Sequence, residues 1–137
     1  MNSAVRYYSQ TGNTRKLADA IAEVAGVTAA TTSSPVTDDT DVLFLGASVY
    51  WAGIDSEVKK FIASLDPKRV QKVVVFSTSA LAERAFPSIE KLLKARGIAV
   101  SQDNFYCRGE FKFMHKGKPD AADIAEVKAF AKKVLGI

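Results

Sequence analysis

A short hydroxyl-rich stretch near the N-terminus has the composition of an anion-binding loop. It consists of Ser9, Gln10, Thr11, Gly12, Asn13 and Thr14. The apolar run at residues 4–8 predicts a strand before the stretch, and helically spaced apolar residues follow it. Backbone N–H groups at a helix start point outward, and the helix dipole favours an anion there. The stretch is therefore either a phosphate-binding loop or an ordinary strand-to-helix turn.

Two further segments follow predicted central strands. The first contains Ser48, Val49, Tyr50, Trp51, Ala52 and Gly53, and the second contains Thr78, Ser79 and Ala80. Ligands of an open α/β sheet bind beyond the carboxyl ends of its strands, so these segments are expected to meet the hydroxyl-rich loop in one crevice. Tyr50 and Trp51 are either apolar bulk or a surface that stacks on a flat ring.

Strands alternate with helices along the chain. The predicted strands are residues 4–8, 27–31, 42–46, 73–76 and 98–107, and the predicted helices are residues 13–25, 55–65, 87–97 and 120–134. This alternation favours a parallel sheet covered on both faces, with right-handed crossovers. Residues 31–41 are predicted to form a loop, and the last strand to be interrupted near residues 102–104. Arg6 either lies on a less covered face of the first strand or pairs with a carboxylate.

The composition is typical of one globular domain. The chain has 137 residues, 47% of them hydrophobic and 25% charged, with a net charge of +4. The Lys and Arg residues are scattered over helical patterns, which favours solvated helix faces over a nucleic-acid site. No apolar run is long enough for a membrane span, and no secretory signal is evident. These features, with a single cysteine, predict a cytoplasmic protein.

A few isolated residues have alternative interpretations. Cys107 is either a redox thiol activated by Arg108 or a small buried residue at a strand end, and we favour the second. His115 is interpreted as a solvated side chain rather than a metal ligand. The acidic residues of the 31–41 loop are interpreted as turn and cap residues, because they lack the glycine and distal glutamate of a calcium loop. They are Asp38, Asp39 and Asp41.

The hydroxyl-rich loop lacks two common nucleotide-binding motifs. It has neither the Gly-Lys-Ser/Thr ending of a Walker loop nor the GxGxxG of a dinucleotide fingerprint. The pattern Ser-x-Thr-Gly-x-Thr after a first strand instead resembles the phosphate loop of the flavodoxin family, which binds the monophosphate of FMN. The aromatic loop after the third strand and the strand alternation over essentially the whole chain resemble that family too.

The resemblance implies a fold and a site. The fold is a single flavodoxin-like α/β domain over residues 1–137, a three-layer αβα sandwich with a five-stranded parallel sheet in the order 2-1-3-4-5. Residues 9–14 would hold the FMN phosphate, and residues 48–53 and 78–80 would line the ring and its ribityl chain. Gly53 best matches the family's glycine peptide near the flavin. The chain departs from the family in its basic charge, in its short second crossover, and in the missing Gly-Asp and stacking tyrosine after the fourth strand.

The expected function is that of an FMN-binding redox protein that carries electrons between partner proteins, which the charge predicts to be acidic. Two alternatives remain open. One is a small NAD(P)H-dependent quinone or flavin reductase, and the other is a flavin-free interaction module on the same fold. No Ser-His-Asp or Cys-His set favours hydrolysis.

Overall fold

A computed structural model describes residues 2–9, 12–50, 53–79, 85–109 and 116–137. The backbone of Val49 and Tyr50 is included, whereas their side chains lie outside the description. The strands are β1 (Ser3–Tyr7), β2 (Ala30–Thr31), β3 (Val42–Tyr50), β4 (Gly53–Ile54), β5 (Val73–Ser79) and β6 (Val100–Arg108). The helices are α1 (Asn13–Ala25), α2 (Ser56–Ser64), α3 (Phe86–Ala95) and α4 (Ala121–Leu135).

Five parallel strands form the sheet in the order β2-β1-β3-β5-β6. The short β4 pairs antiparallel with the end of β3 and lies off this path. With β4 set aside, β5 and β6 are the fourth and fifth strands of the parallel sheet. The predicted order 2-1-3-4-5 is therefore confirmed.

The helices cover both faces of the sheet. Alternate residues of the central strands point to opposite faces, so each strand contributes to two apolar layers. Phe44 and Phe76 pack with α1 and α4 on one face, whereas Leu45 and Val75 pack with α2 and α3 on the other. Burial on both faces explains why β3 and β5 begin as continuous apolar runs. The αβα sandwich is thus confirmed as well.

The crossover from β2 to β3 contains no helix within residues 32–41, all of which are described. Arg6 of β1 holds this segment by donating from Nε to the Ser34 carbonyl at 3.0 Å and from Nη2 to the Pro35 carbonyl at 3.2 Å. Partial burial lowers the pKa of Arg6. The less covered face is therefore the correct interpretation of Arg6, and main-chain carbonyls are its described partners.

Several boundaries differ from the prediction. The pairing of β3 with β5 continues in register to Val49 and Ser79, although the side chains turn polar well before that point. Ser48, Tyr50 and Thr78 therefore belong to strands rather than to loops. Backbone pairing depends on main-chain groups, which a loss of apolar side chains does not remove.

Two features near the C-terminus match the sequence patterns. The register between β5 and β6 shifts between the pairs Val73–Val100 and Val75–Asn104, where an interruption was predicted. The strand nevertheless continues beyond it to Arg108. Asp120 caps α4 as predicted, with a capping box in which Asp120 and Asp123 accept each other's backbone N–H.

Candidate functional site

The start of α1 has the geometry that an anion site requires. Gly12 occupies the N-cap position in the left-handed conformation, with φ of +85°. Its N–H donates to Ser9 Oγ at 2.9 Å, which tightens the turn, and Lys16 N–H donates to the Gly12 carbonyl at 3.3 Å as the helix begins. Among the described side chains, none caps this helix. A helix start without a side-chain cap presents its first-turn backbone donors to an external acceptor.

Three buried hydroxyls join this helix start to the sheet. Thr14 Oγ1 lies 2.5 Å from Ser48 Oγ and 3.0 Å from Thr78 Oγ1, and the latter two oxygens are 3.2 Å apart. The exposed fractions are 0% for Thr14, 6% for Ser48 and 1% for Thr78. We call this set, Thr14, Ser48 and Thr78, the hydroxyl triad. It shows that segments predicted to meet from sequence do meet, at the carboxyl ends of β3 and β5.

Gly46 and Gly109 allow the close approaches around the hydroxyl triad. A Cβ on Gly46 would collide with the Phe76 ring and lie 2.9 Å from Thr14 Cγ2. A Cβ on Gly109 would lie 2.8 Å from Asn13 Nδ2 and 3.2 Å from Thr78 Cβ. Neither glycine was identified as a site residue from sequence. The sequence signal that could have indicated a close approach is a glycine within a strand pattern, as at Gly46, or directly after one, as at Gly109.

The β3–β4 hairpin carries the segment expected at the ring. Val49 pairs with Ile54, and Tyr50 with Gly53, so the backbone on both sides of this segment is fixed by the sheet. Trp51 and Ala52 lie outside the described residues, as do Gln10, Thr11 and Ala80. The roles of Tyr50 and Trp51 as stacking surfaces remain predictions.

We call the hydroxyl-rich residues 9–14 the anion loop, and an open groove of about 640 Å³ borders this loop on its β2 side. Its lining includes Tyr8, Ser9, Gly12, Arg15 and Thr31. Arg15 lies in the first turn of α1 and forms an exposed ion pair with Asp19 at 3.7 Å. The groove therefore combines hydroxyls, the Arg15 cation close to the helix start and the Glu57 carboxylate.

Cys107 is a buried side chain with 8% exposure. Burial raises the pKa of its thiol to about 12, and the charge of Asp123 adds to the effect. The neighbouring Arg108 donates to the Tyr106 hydroxyl at 3.0 Å. The structure thus supports the interpretation of Cys107 as a small buried residue rather than an activated thiol.

The described part of the chain contains no cluster of His, Cys, Asp or Glu residues that could hold a metal ion. His115 lies outside the described residues. Of the helices that the structure describes, none combines the length and apolarity needed to cross a membrane.

Comparison with protein families identifies the domain. The flavodoxin-domain family matches residues 4–117, which contain the anion loop, the β3–β4 hairpin and the end of β5. The chain belongs to this family. Membership of this family supports the assignment of the chain as a flavin-binding redox protein. No curated protein sequence matches the chain.

Solved structures with the same fold include members of this family. A flavodoxin from the domain Archaea has a TM-score of 0.79 at 20% identity, covering 99% of this chain and 97% of that one. Flavodoxin 2 from Bacillus cereus has a TM-score of 0.73 at 21% identity, covering 99% of both chains. Rubredoxin oxygen:oxidoreductase from Desulfovibrio gigas has a TM-score of 0.73 at 14% identity, with 96% of this chain matching 34% of that one.

Proposed function

We propose that this flavodoxin-domain protein binds FMN and carries electrons between partner proteins. The observation that supports this most is that the start of α1 meets the carboxyl ends of two central strands at one edge of the sheet. The glycine-led start of α1 contacts the carboxyl ends of β3 and β5 through the hydroxyl triad. This edge lies beside the switch in strand order between β1 and β3, where open α/β sheets bind ligands.

The anion loop is proposed to hold the phosphate of FMN. Its members are Ser9, Gln10, Thr11, Gly12, Asn13 and Thr14. Backbone N–H groups and the dipole of α1 suit a phosphate. A Cβ on Gly12 would have no heavy atom within 4 Å apart from its chain neighbours, so this residue borders open space. The donors and the space both fit a phosphate group.

The strand ends are proposed to form the wall beside the ring and the ribityl chain. The residues assigned to this wall are Ser48, Val49, Tyr50, Trp51, Ala52, Gly53, Ser79 and Ala80, and the buried Thr78 lies behind it. Tyr50 or Trp51 would cover the flat ring, and the backbone of Gly53 would approach its edge. When bound, FMN would supply the electron chemistry, accepting electrons one or two at a time. The protein's own contribution is to position the cofactor and to set its electrostatic surroundings.

The electron-carrier assignment includes acidic partner proteins. The chain has 19 Lys and Arg residues against 15 Asp and Glu residues, which gives a net charge of +4. Charge complementarity steers the encounter of redox partners and is weakened by salt. Electron transfer to an acidic partner is therefore expected to slow as ionic strength rises.

The visible absorption spectrum of the purified protein, before and after addition of FMN, tests the cofactor assignment. We expect a flavin spectrum, and we expect FMN to bind the flavin-stripped protein about tenfold or more tightly than riboflavin, because only FMN offers a charged acceptor to the loop. A colourless protein that FMN does not saturate would contradict the proposal and favour the flavin-free interaction module.

A second assay separates the carrier from the reductase. The FMN-loaded protein is mixed with NADH or NADPH and a quinone, without any other protein. A carrier is expected to consume the nicotinamide only when a separate reductase is added. Steady consumption without a reductase would instead assign the protein to the NAD(P)H-dependent quinone reductases.

A further inference from the structure

The hydroxyl triad connects elements that are far apart in sequence. Thr14 lies in the first turn of α1, Ser48 lies near the end of β3, and Thr78 lies near the end of β5. Three hydroxyls supply three donors, so each hydroxyl can donate one hydrogen bond and accept one within the triad. Since all three residues are buried, a hydroxyl without its partner cannot turn to water and would carry a desolvation penalty.

Thr78 has a distinct position within the hydroxyl triad. Its hydroxyl contacts Thr14 at 3.0 Å and Ser48 at 3.2 Å, and its Cβ faces the tight approach of Gly109. It therefore lies behind Thr14, on the sheet side of the helix start. From this position the hydroxyl of Thr78 can fix the rotamer of Thr14 and, through it, the first turn of α1.

We propose that Thr78 is a positioning residue for the anion loop and acts through Thr14 rather than by contacting the cofactor. The hydroxyl of Thr78 anchors the first turn of α1 to β5, so that the backbone donors of this turn are held in place before an anion arrives. Positioning donors in advance lowers the ordering cost of binding. The part of this inference that concerns FMN rests on the proposed function, whereas the anchoring of α1 does not.

The first test uses the flavin-free protein and amide hydrogen exchange measured by NMR. Thr78→Val removes the hydroxyl with little change in shape, and Thr78→Ser restores it. Ser77→Ala is the matched control, because Ser77 is 1% exposed on the same strand and points to the opposite face of the sheet. We expect the amides of Lys16 and Leu17 to exchange about tenfold faster in Thr78→Val, while the exchange rates of amides within α4 stay unchanged. Thr78→Ser and Ser77→Ala are expected to exchange at the rates of the native protein.

Several results of this exchange experiment would overturn the inference. Unchanged exchange in the first turn of α1 would mean that Thr78 does not hold it. Equal acceleration in α1 and α4, or in Ser77→Ala, would mean that the substitution loosens the whole domain. Since no flavin is present, these outcomes do not depend on whether the protein binds FMN.

The second test measures affinity for FMN and for riboflavin in the same variants. If Thr78 acts through the anion loop, Thr78→Val is expected to weaken FMN binding about tenfold and to leave riboflavin binding unchanged, with Thr78→Ser close to native. Equal losses for both ligands would place Thr78 at the ring and overturn the inference. A native protein that binds neither flavin would refute the proposed function, while the exchange experiment would still decide on the anchoring role.

Discussion

At the scale of single residues, a glycine in the left-handed conformation flanks α1 at each end. Gly12 precedes the helix with φ of +85°, and Gly26 ends it with φ of +72°. A Cβ on either would meet no heavy atom within 4 Å. The two positions therefore share their conformational requirement but differ in their distance from the anion loop. They form a matched pair for separating backbone strain from ligand binding.

We expect Gly12→Leu to abolish flavin binding while the protein remains folded. The left-handed conformation costs an L-residue roughly 1–2 kcal/mol, and the new side chain would occupy the space in front of the helix. Gly26→Leu carries a similar conformational cost at the other end of α1 and is expected to keep its flavin. Urea unfolding and FMN titration of both variants measure the two effects separately. Unchanged FMN affinity in Gly12→Leu would place the phosphate elsewhere.

The thiol of Cys107 is expected to react slowly in the native protein. With its pKa raised to about 12 by burial, the thiolate is scarce at neutral pH and the sulfur is hard to reach. Modification at pH 8 by a disulfide reagent that releases a coloured thiolate should proceed on the timescale of unfolding. In urea the same modification should be complete within seconds. Because the folded pKa is raised, the stabilisation from keeping the thiol neutral is complete below pH about 8.5 and is lost as pH rises towards 12. Fast modification of the native protein would instead indicate an exposed thiolate.

At the scale of elements, the seating of α1 on β3 depends on Gly46. Thr14 Cγ2 from α1 and the Phe76 ring from β5 both lie where a Cβ on this residue would be. Gly46→Ala is expected to destabilise the protein by about 1–3 kcal/mol in urea unfolding, because the buried Phe76 ring on β5 and Thr14 on α1 must both move. Movement of Thr14 displaces the first turn of α1, so we also expect weaker FMN binding.

Gly97→Ala is the control for this substitution. Unlike Gly46, Gly97 has a positive φ, +74°, and a Cβ there would meet no heavy atom within 4 Å, so the variant reports conformational strain without crowding. We expect it to lose about 1 kcal/mol and to bind FMN normally. If Gly46→Ala proves no less stable than Gly97→Ala and keeps its FMN affinity, the close packing is not what positions α1.

The comparison between sequence and structure is most informative at the strand ends. Apolar runs located the cores of β3 and β5, whereas the pairing that extends them to Tyr50 and Ser79 involves backbone groups that leave no mark in side-chain polarity. The limits of α1 were predictable, since Gly12 and Gly26 mark them chemically. The hydroxyl triad was not, because hydrogen bonds between distant segments depend on side-chain rotamers that only the folded chain determines.

At the scale of the whole molecule, alternation of strands and helices predicted a parallel sheet, but the strand order came from the resemblance of the anion loop to a family. Periodicity defines the elements and says nothing about which strands are neighbours. The order β2-β1-β3-β5-β6 is what brings the start of α1 to the ends of β3 and β5. Recognition of the motif therefore supplied the part of the site that local patterns could not.

The net charge of +4 is expected to make bound FMN easier to reduce than in an acidic flavodoxin. Positive charge favours the more negative, reduced form of a bound group, and negative charge opposes it. Spectroelectrochemistry of this protein beside an acidic flavodoxin should give the less negative potential here. The difference should shrink as salt screens the surface charges. An equal or more negative potential would contradict this expectation.

The helix-free crossover has a consequence for how this protein can vary. Arg6 holds the segment through the carbonyls of Ser34 and Pro35, and every amino acid provides a carbonyl. Saturation mutagenesis with selection for folded protein should therefore accept many replacements at residues 33–35 and 37 and few at Arg6, while Val36 packs against the core and should stay apolar. Arg6 would then help to preserve the path of a segment in which most residues can vary.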